Sequence, residues 1–148
     1  MYRALMLTLV CSPVYCISRI SQPGWNGVNF AKAIEGRKLN GRMIKEMEVE
    51  SESFCRLECV EEQRCQSYNF GTTKNDAGKF ICQLSDSDRF YGNANFTADG
   101  NFRYRGIKNA CETKPFPCGD KEVCVPDYQS ESFNCNCDSG YSGQPCSK

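Results

Sequence analysis

Histidine is absent from all 148 residues. Its absence removes Cys/His zinc sites, the Ser-His and Cys-His nucleophile pairs and the commonest general base near neutral pH. An excess of charge of one sign is also missing, because 18 Lys+Arg face 18 Asp+Glu. A nucleic-acid binder gains affinity by neutralising phosphates and shows a basic surplus, so no nucleic-acid partner is expected. Carboxylate pairs such as Asp86 and Asp88 fall in a polar loop with no surrounding pocket pattern. Together these absences predict a protein that is not an enzyme and carries no cofactor.

Long apolar runs are scarce too. The one candidate is at the start, where Met1-Tyr2-Arg3 forms a short basic segment and Ala4 to Val10 an apolar one, running on weakly to Tyr15. A membrane span needs roughly 20 apolar residues, so this stretch is too short to cross a bilayer. It reads as a secretory signal peptide over residues 1–18, with cleavage expected after Ser18 or after Cys16. No second apolar run follows and no hydrophobic tail closes the sequence, so no stable membrane insertion is expected.

Cysteine, by contrast, is abundant at twelve residues. Cleavage at either point removes Cys11 and Cys16 and leaves an even set, as a closed disulfide framework in an oxidising compartment requires. The set divides by spacing. Cys55, Cys59, Cys65 and Cys82 are spread through a region of mixed helix and strand signals. Cys111, Cys118, Cys124, Cys135, Cys137 and Cys146 crowd a segment rich in Gly, Pro, Asn and Ser. The change near Gly106–Ala110 predicts a boundary, giving a leader at 19–27, a first domain at 28–107 and a second at 108–148.

Within the first domain, Val28–Ile34 and Arg42–Glu50 read as strands from their alternation. A helix is expected from Ser51 or Ser53, with Glu52 near its positive end and Phe54, Leu57, Cys55 and Cys59 along one side. Two further strands, Gln66–Gly71 and Lys79–Leu84, and a closing run at Phe102–Gly106 complete an α+β domain, an antiparallel sheet packed on one helix. Cys55 and Cys59 are one helical turn apart and can both reach a sheet beneath. Of the three pairings that four cysteines allow, Cys55–Cys82 with Cys59–Cys65 is favoured, because it pins the helix to the sheet and closes a short loop at its end.

The pattern Cys-x3-Cys, a cysteine before Gln66-Ser67-Tyr68-Asn69-Phe70, and then Cys82-Gln83-Leu84 resembles the PAN/apple superfamily in its four-cysteine form. Phe30, Ile34, Gly36, Leu39 and Gly41 fit the same pattern. The second domain resembles an EGF-like module, ending in Cys135-Asn136-Cys137 and Gly140-Tyr141-Ser142-Gly143 before Cys146. That likeness implies a small β-hairpin module with Cys111–Cys124, Cys118–Cys135 and Cys137–Cys146. So short a segment cannot fold on apolar burial alone and depends on such bonds.

Calcium-binding EGF modules carry carboxylates before the first cysteine, and Gly106–Ala110 has none. Asp127 also stands three residues after Cys124 instead of two, so no metal is expected. Pro145 replaces the Arg that receptor-agonist modules of this kind carry before the last cysteine. Asn95-Phe96-Thr97 is an N-glycosylation sequon and predicts an exposed glycoprotein loop. Arg37, Lys38, Arg42 and Lys45, with Arg103, Arg105 and Lys108, would form a patch for a sulfated glycan if the two runs lay side by side. Interleaved with Glu46, Glu48 and Glu50, they otherwise form an ordinary solvated face.

The resemblances imply a secreted, extracellular recognition or adhesion protein. It would bind a protein or carbohydrate ligand through the PAN-like domain, with the EGF-like module as interaction unit or spacer. The alternative is a soluble signalling ligand or toxin that acts on a receptor through the EGF-like module.

Overall fold

The structure, a computed structural model, describes residues 18–112 and 117–148. The expected signal segment up to residue 17, with Cys11 and Cys16, lies outside the described residues.

The described residues form nine strands and one α-helix: β1 (Arg19–Gln22), β2 (Trp25–Val28), β3 (Ile34–Leu39), β4 (Met43–Val49), α1 (Glu52–Glu61), β5 (Ser67–Gly71), β6 (Phe80–Ser85), β7 (Phe96–Gly106), β8 (Glu122–Asp127) and β9 (Ser132–Cys137). Strands β3 to β7 make one antiparallel sheet in the order β3-β7-β5-β6-β4. Helix α1 packs on this sheet, giving the α+β architecture expected from the sequence. Strands β8 and β9 form a separate disulfide-rich hairpin.

The leader is not irregular: β1 and β2 pair as a short hairpin. The strand expected at Val28–Ile34 starts later, at Ile34, and Phe30 makes only a single bridge to Ile107. Tertiary pairing with β7 decides this, since alternation on its own does not fix where a strand begins.

Helix α1 turns differently from the expectation. Cys55 and Cys59 are fully buried, whereas Phe54 and Leu57 are about half exposed, at 54 % and 53 %. The two disulfides, Cys55–Cys82 and Cys59–Cys65, set its rotation. Phe54, about 100° round the helix from Cys55, and Leu57, about 160° from it, then face outward. Between helix and sheet the core is Val49, Tyr68, Phe70, Leu84 and the four cysteines. Phe30 meets Tyr68 edge-on at 5.6 Å, and Phe70 meets Phe80 at 5.0 Å.

No basic residue occupies the last turn of α1. Arg19 of β1 supplies the charge from outside, donating to Val60 O at 2.8 Å, Cys59 O at 3.1 Å and Cys65 O at 2.6 Å. A guanidinium fork suits these free carbonyls at the negative end of the helix.

The opposite face of the sheet is polar yet buried. Asn69 clasps the backbone of Leu39, accepting from its N–H at 2.9 Å and donating to its carbonyl at 2.8 Å. Ser67 Oγ donates to Ser87 O, and the Tyr104 hydroxyl accepts from the N–H of Arg89 at 2.9 Å. Together they hold the segment 86–92 across the sheet. Gly92 is required there, because a Cβ would stand 2.9 Å from Asp88 O and from Leu39 Cδ1.

Candidate functional site

The segment held on the sheet carries three successive residues that reach the C-terminal hairpin. Asp88 is buried and accepts from the Tyr128 hydroxyl at 2.9 Å, while its other oxygen takes the N–H groups of Phe90 and Tyr91. Arg89 pairs with Glu112 at 2.7 Å. Phe90 packs with Cys111 and Cys124, with Cys118 beside them. From the hairpin side, Asn109 donates to the Tyr128 hydroxyl at 3.2 Å and accepts from the N–H of Cys111. Glu131 accepts both the N–H and the hydroxyl of Ser18.

Burial is the first cause that pushes the Tyr128 phenol well above its ordinary range, and the Asp88 carboxylate adds to it. Tyr104 is raised for the same two reasons in the same order. Both phenols therefore stay protonated as donors and acceptors throughout the physiological range.

This docking leaves a cleft of about 750 Å3 between the sheet and the hairpin. Gln66 before β5, Gln129 in the β8–β9 turn and Asn134 in β9 line it, and Pro126 and Tyr128 give it an apolar side over the buried Ile107. Arg19 and Asp127 also border it. Asp127 is held below the usual carboxylate range by the N–H and side chain of Ser130 and the N–H of Gln129, so it is bound into its own turn.

The hairpin is closed by Cys111–Cys124, Cys118–Cys135 and Cys137–Cys146. Cys118, Glu122 and Cys135 lie close together, but both sulfurs are spent in one disulfide and offer no thiolate to a metal.

The structure disperses the basic residues instead of joining them. β3, with Arg37 and Lys38, and β4, with Lys45, are opposite edges of the sheet with three strands between them. Arg42 pairs with Asp86 and Lys45 with Glu58, while Arg103 meets both Glu35 and Glu52. Arg37 donates to Phe96 O and lies over that ring; Arg105 donates to Ala31 O and lies over Phe30. Lys38 lies over Phe102, and Lys108 is exposed. Strand order keeps the seven from forming one surface: Arg37 and Lys38 of β3 lie beside Arg103 and Arg105 of β7, whereas Arg42 and Lys45 lie at the β4 edge. Asn95 of the sequon is exposed just before β7, and the Thr97 hydroxyl accepts from Asn40 at 2.9 Å.

Asp88, Arg89, Phe90, Asn109 and Tyr128 carry the junction, and no spacing rule marks them in the sequence. The one available hint is a carboxylate in a loop followed by an aromatic, a pattern too common to single out.

Disulfide-stapled folds of this kind are typical of extracellular proteins, and no described helix is long and apolar enough to cross a membrane. No curated protein and no solved structure matches the chain. Residues 30–111, more than half of its length, match the PAN domain, with the stapled helix and five-stranded sheet lying inside that span. The chain belongs to the PAN domain family.

Proposed function

We propose that this chain is a secreted recognition protein that binds an extracellular protein or carbohydrate ligand through its PAN domain. Its C-terminal hairpin, read as an EGF-like module, serves as interaction unit or spacer. The observation that carries this reading is the PAN match over 30–111, since PAN domains act as protein- and carbohydrate-binding modules in extracellular proteins. A binding role, not catalysis, is supported by the lack of histidine and by the engagement of both loop carboxylates: Asp86 holds Arg42 and Asp88 holds Tyr128.

Secretion is supported by the basic-then-apolar start of the sequence and by the closed disulfides. Of the two cleavage points, the one after Cys16 retains Ser18 and its bonds to Glu131, and we favour it on that ground. Exposure of Asn95 supports glycan attachment there.

The test is binding of the full chain, secreted from cultured cells, to panels of ectodomains and oligosaccharides, before and after disulfide reduction. The expected result is a specific partner that is lost on reduction and indifferent to Ser139→Arg and Gln144→Arg at the far, exposed end of the hairpin. Loss of binding with those two variants would place recognition in the hairpin and favour the signalling-ligand or toxin alternative. Absence of any partner would contradict the reading.

A further inference from the structure

We propose that the cleft between the PAN sheet and the hairpin is the ligand site, and that its ligand is a neutral glycan. The inference rests on the reading of the chain as a recognition protein and names the place and chemistry of recognition.

The carboxamides of Gln66, Gln129 and Asn134 line the cleft, and none of the three has a protein partner among the described residues. Each offers two N–H donors and a carbonyl with two lone pairs. Vicinal sugar hydroxyls, which both donate and accept, are complementary to such groups. Pro126 and Tyr128, both partly exposed, provide the apolar surface that the C–H face of a pyranose needs, with the buried Ile107 behind them. A volume of about 750 Å3 lies within the ordinary range of small-ligand sites, roughly 300–1,000 Å3.

Charge argues against an anionic ligand. Among the described residues Arg19 is the cation that lines the cleft, and it is already committed to three carbonyls around the end of α1. Asp127 beside it would repel a sulfate or phosphate. A peptide docking by its main chain needs unpaired backbone groups along a sheet edge. Here the Gln66 N–H is taken by Ser85 O and the Ile107 N–H by Gln66 O, while Pro126 has no N–H.

The walls are fixed before any ligand arrives. Asn134 sits in the β8–β9 ladder opposite Val125, and Gln66 is tied to Ile107 through its backbone. The Tyr128 hydroxyl is held by Asp88 and Asn109. Preorganisation of this kind lowers the entropic cost of binding.

The test uses the full secreted chain with methyl glycosides of galactose, glucose, mannose and N-acetylglucosamine, and a heparin hexasaccharide as the charged comparison. Saturation-transfer NMR detects binding and titration gives affinity. At least one neutral glycoside binds, with little dependence on salt. Gln66→Ala, Asn134→Ala and Gln129→Ala each weaken it by about fivefold or more, while Arg37→Ala with Lys38→Ala leaves it unchanged. Gln129 is in an exposed turn, so its variant folds even if another does not. Binding of heparin alone, or neutral binding indifferent to the three variants, overturns the inference. Failure of every neutral glycoside while a protein partner is retained overturns the cleft's ligand and leaves the recognition reading standing. Failure of both overturns both.

Discussion

Asp88 and Tyr128, forty residues apart, are joined by a 2.9 Å hydrogen bond from the phenol Oη to the carboxylate Oδ2. Asp88 lies in the segment strapped across the PAN sheet, and Tyr128 lies in the turn between β8 and β9. The bond therefore ties the two disulfide units together at a buried point, where a lost partner is not replaced by water.

Tyr128→Phe leaves the Asp88 oxygen and an Asn109 N–H without their partner, at a cost of about 1–3 kcal/mol. Urea unfolding monitored by fluorescence measures it, and hydrogen exchange in β8 and β9 should rise with it. Unchanged stability and exchange would show that the hairpin is not docked through this pair.

Alkaline pH should destabilise the protein. Tyr68, Tyr104 and Tyr128 all have phenols raised above the ordinary value, each mainly by burial, with Glu52 adding at Tyr68 and Asp88 at the other two. The folded state holds these protons where the unfolded chain releases them at about pH 10. The associated stability is complete below that pH and is lost as pH climbs above it. Thermal unfolding should fall steeply past about pH 10, and ultraviolet titration should show a group of phenols that ionise only on unfolding. Reversible ionisation of every tyrosine in the folded protein would contradict this.

Arg19→Ala should cost about 1–3 kcal/mol, because three carbonyls lose a charged donor. Arg19→Lys recovers only part, since one ammonium cannot span three acceptors in a fixed plane. Burial already depresses this guanidinium's pKa, partly offset by Glu62, consistent with a desolvated position. Denaturant midpoints of the three proteins check the order.

The outward turn of α1 makes a contrast between neighbouring positions. Phe54→Gln and Leu57→Gln should each change stability by no more than about 0.5 kcal/mol, as exposed sites do. Cys55→Ser with Cys82→Ser should cost about 2–4 kcal/mol. Equal effects from the two sets would place Phe54 and Leu57 in the core and refute the rotation of the helix.

The sequence made the architecture legible because the relevant signals are local. The Cys-x3-Cys spacing marks a helix, the alternation in Met43–Val49 marks a strand, and the crowded cysteines mark a core-poor hairpin. The helix face is not legible by residue type, because Phe54 and Leu57 look like core residues while the rotation of α1 is set by the disulfides to Cys82 of β6 and to Cys65 just past the helix. Whether the basic residues join in a patch or form an ordinary solvated face is not legible, because spacing along the chain does not reveal the partners Asp86, Glu58, Glu35 and Glu52. The cleft was invisible for a related reason. Gln66, Gln129 and Asn134 are ordinary polar residues until Asp88, Arg89 and Phe90 bring the hairpin against the sheet.

Two disulfides staple the PAN unit and three close the hairpin, and the cleft exists only if each unit closes by itself. Non-reducing peptide mass spectrometry of the secreted full chain tests this directly. It should recover Cys55–Cys82, Cys59–Cys65, Cys111–Cys124, Cys118–Cys135 and Cys137–Cys146, with no free thiol among them. A free thiol in either set, or a bond joining the 55–82 set to the 111–146 set, would contradict the two-unit architecture and the binding site built on it.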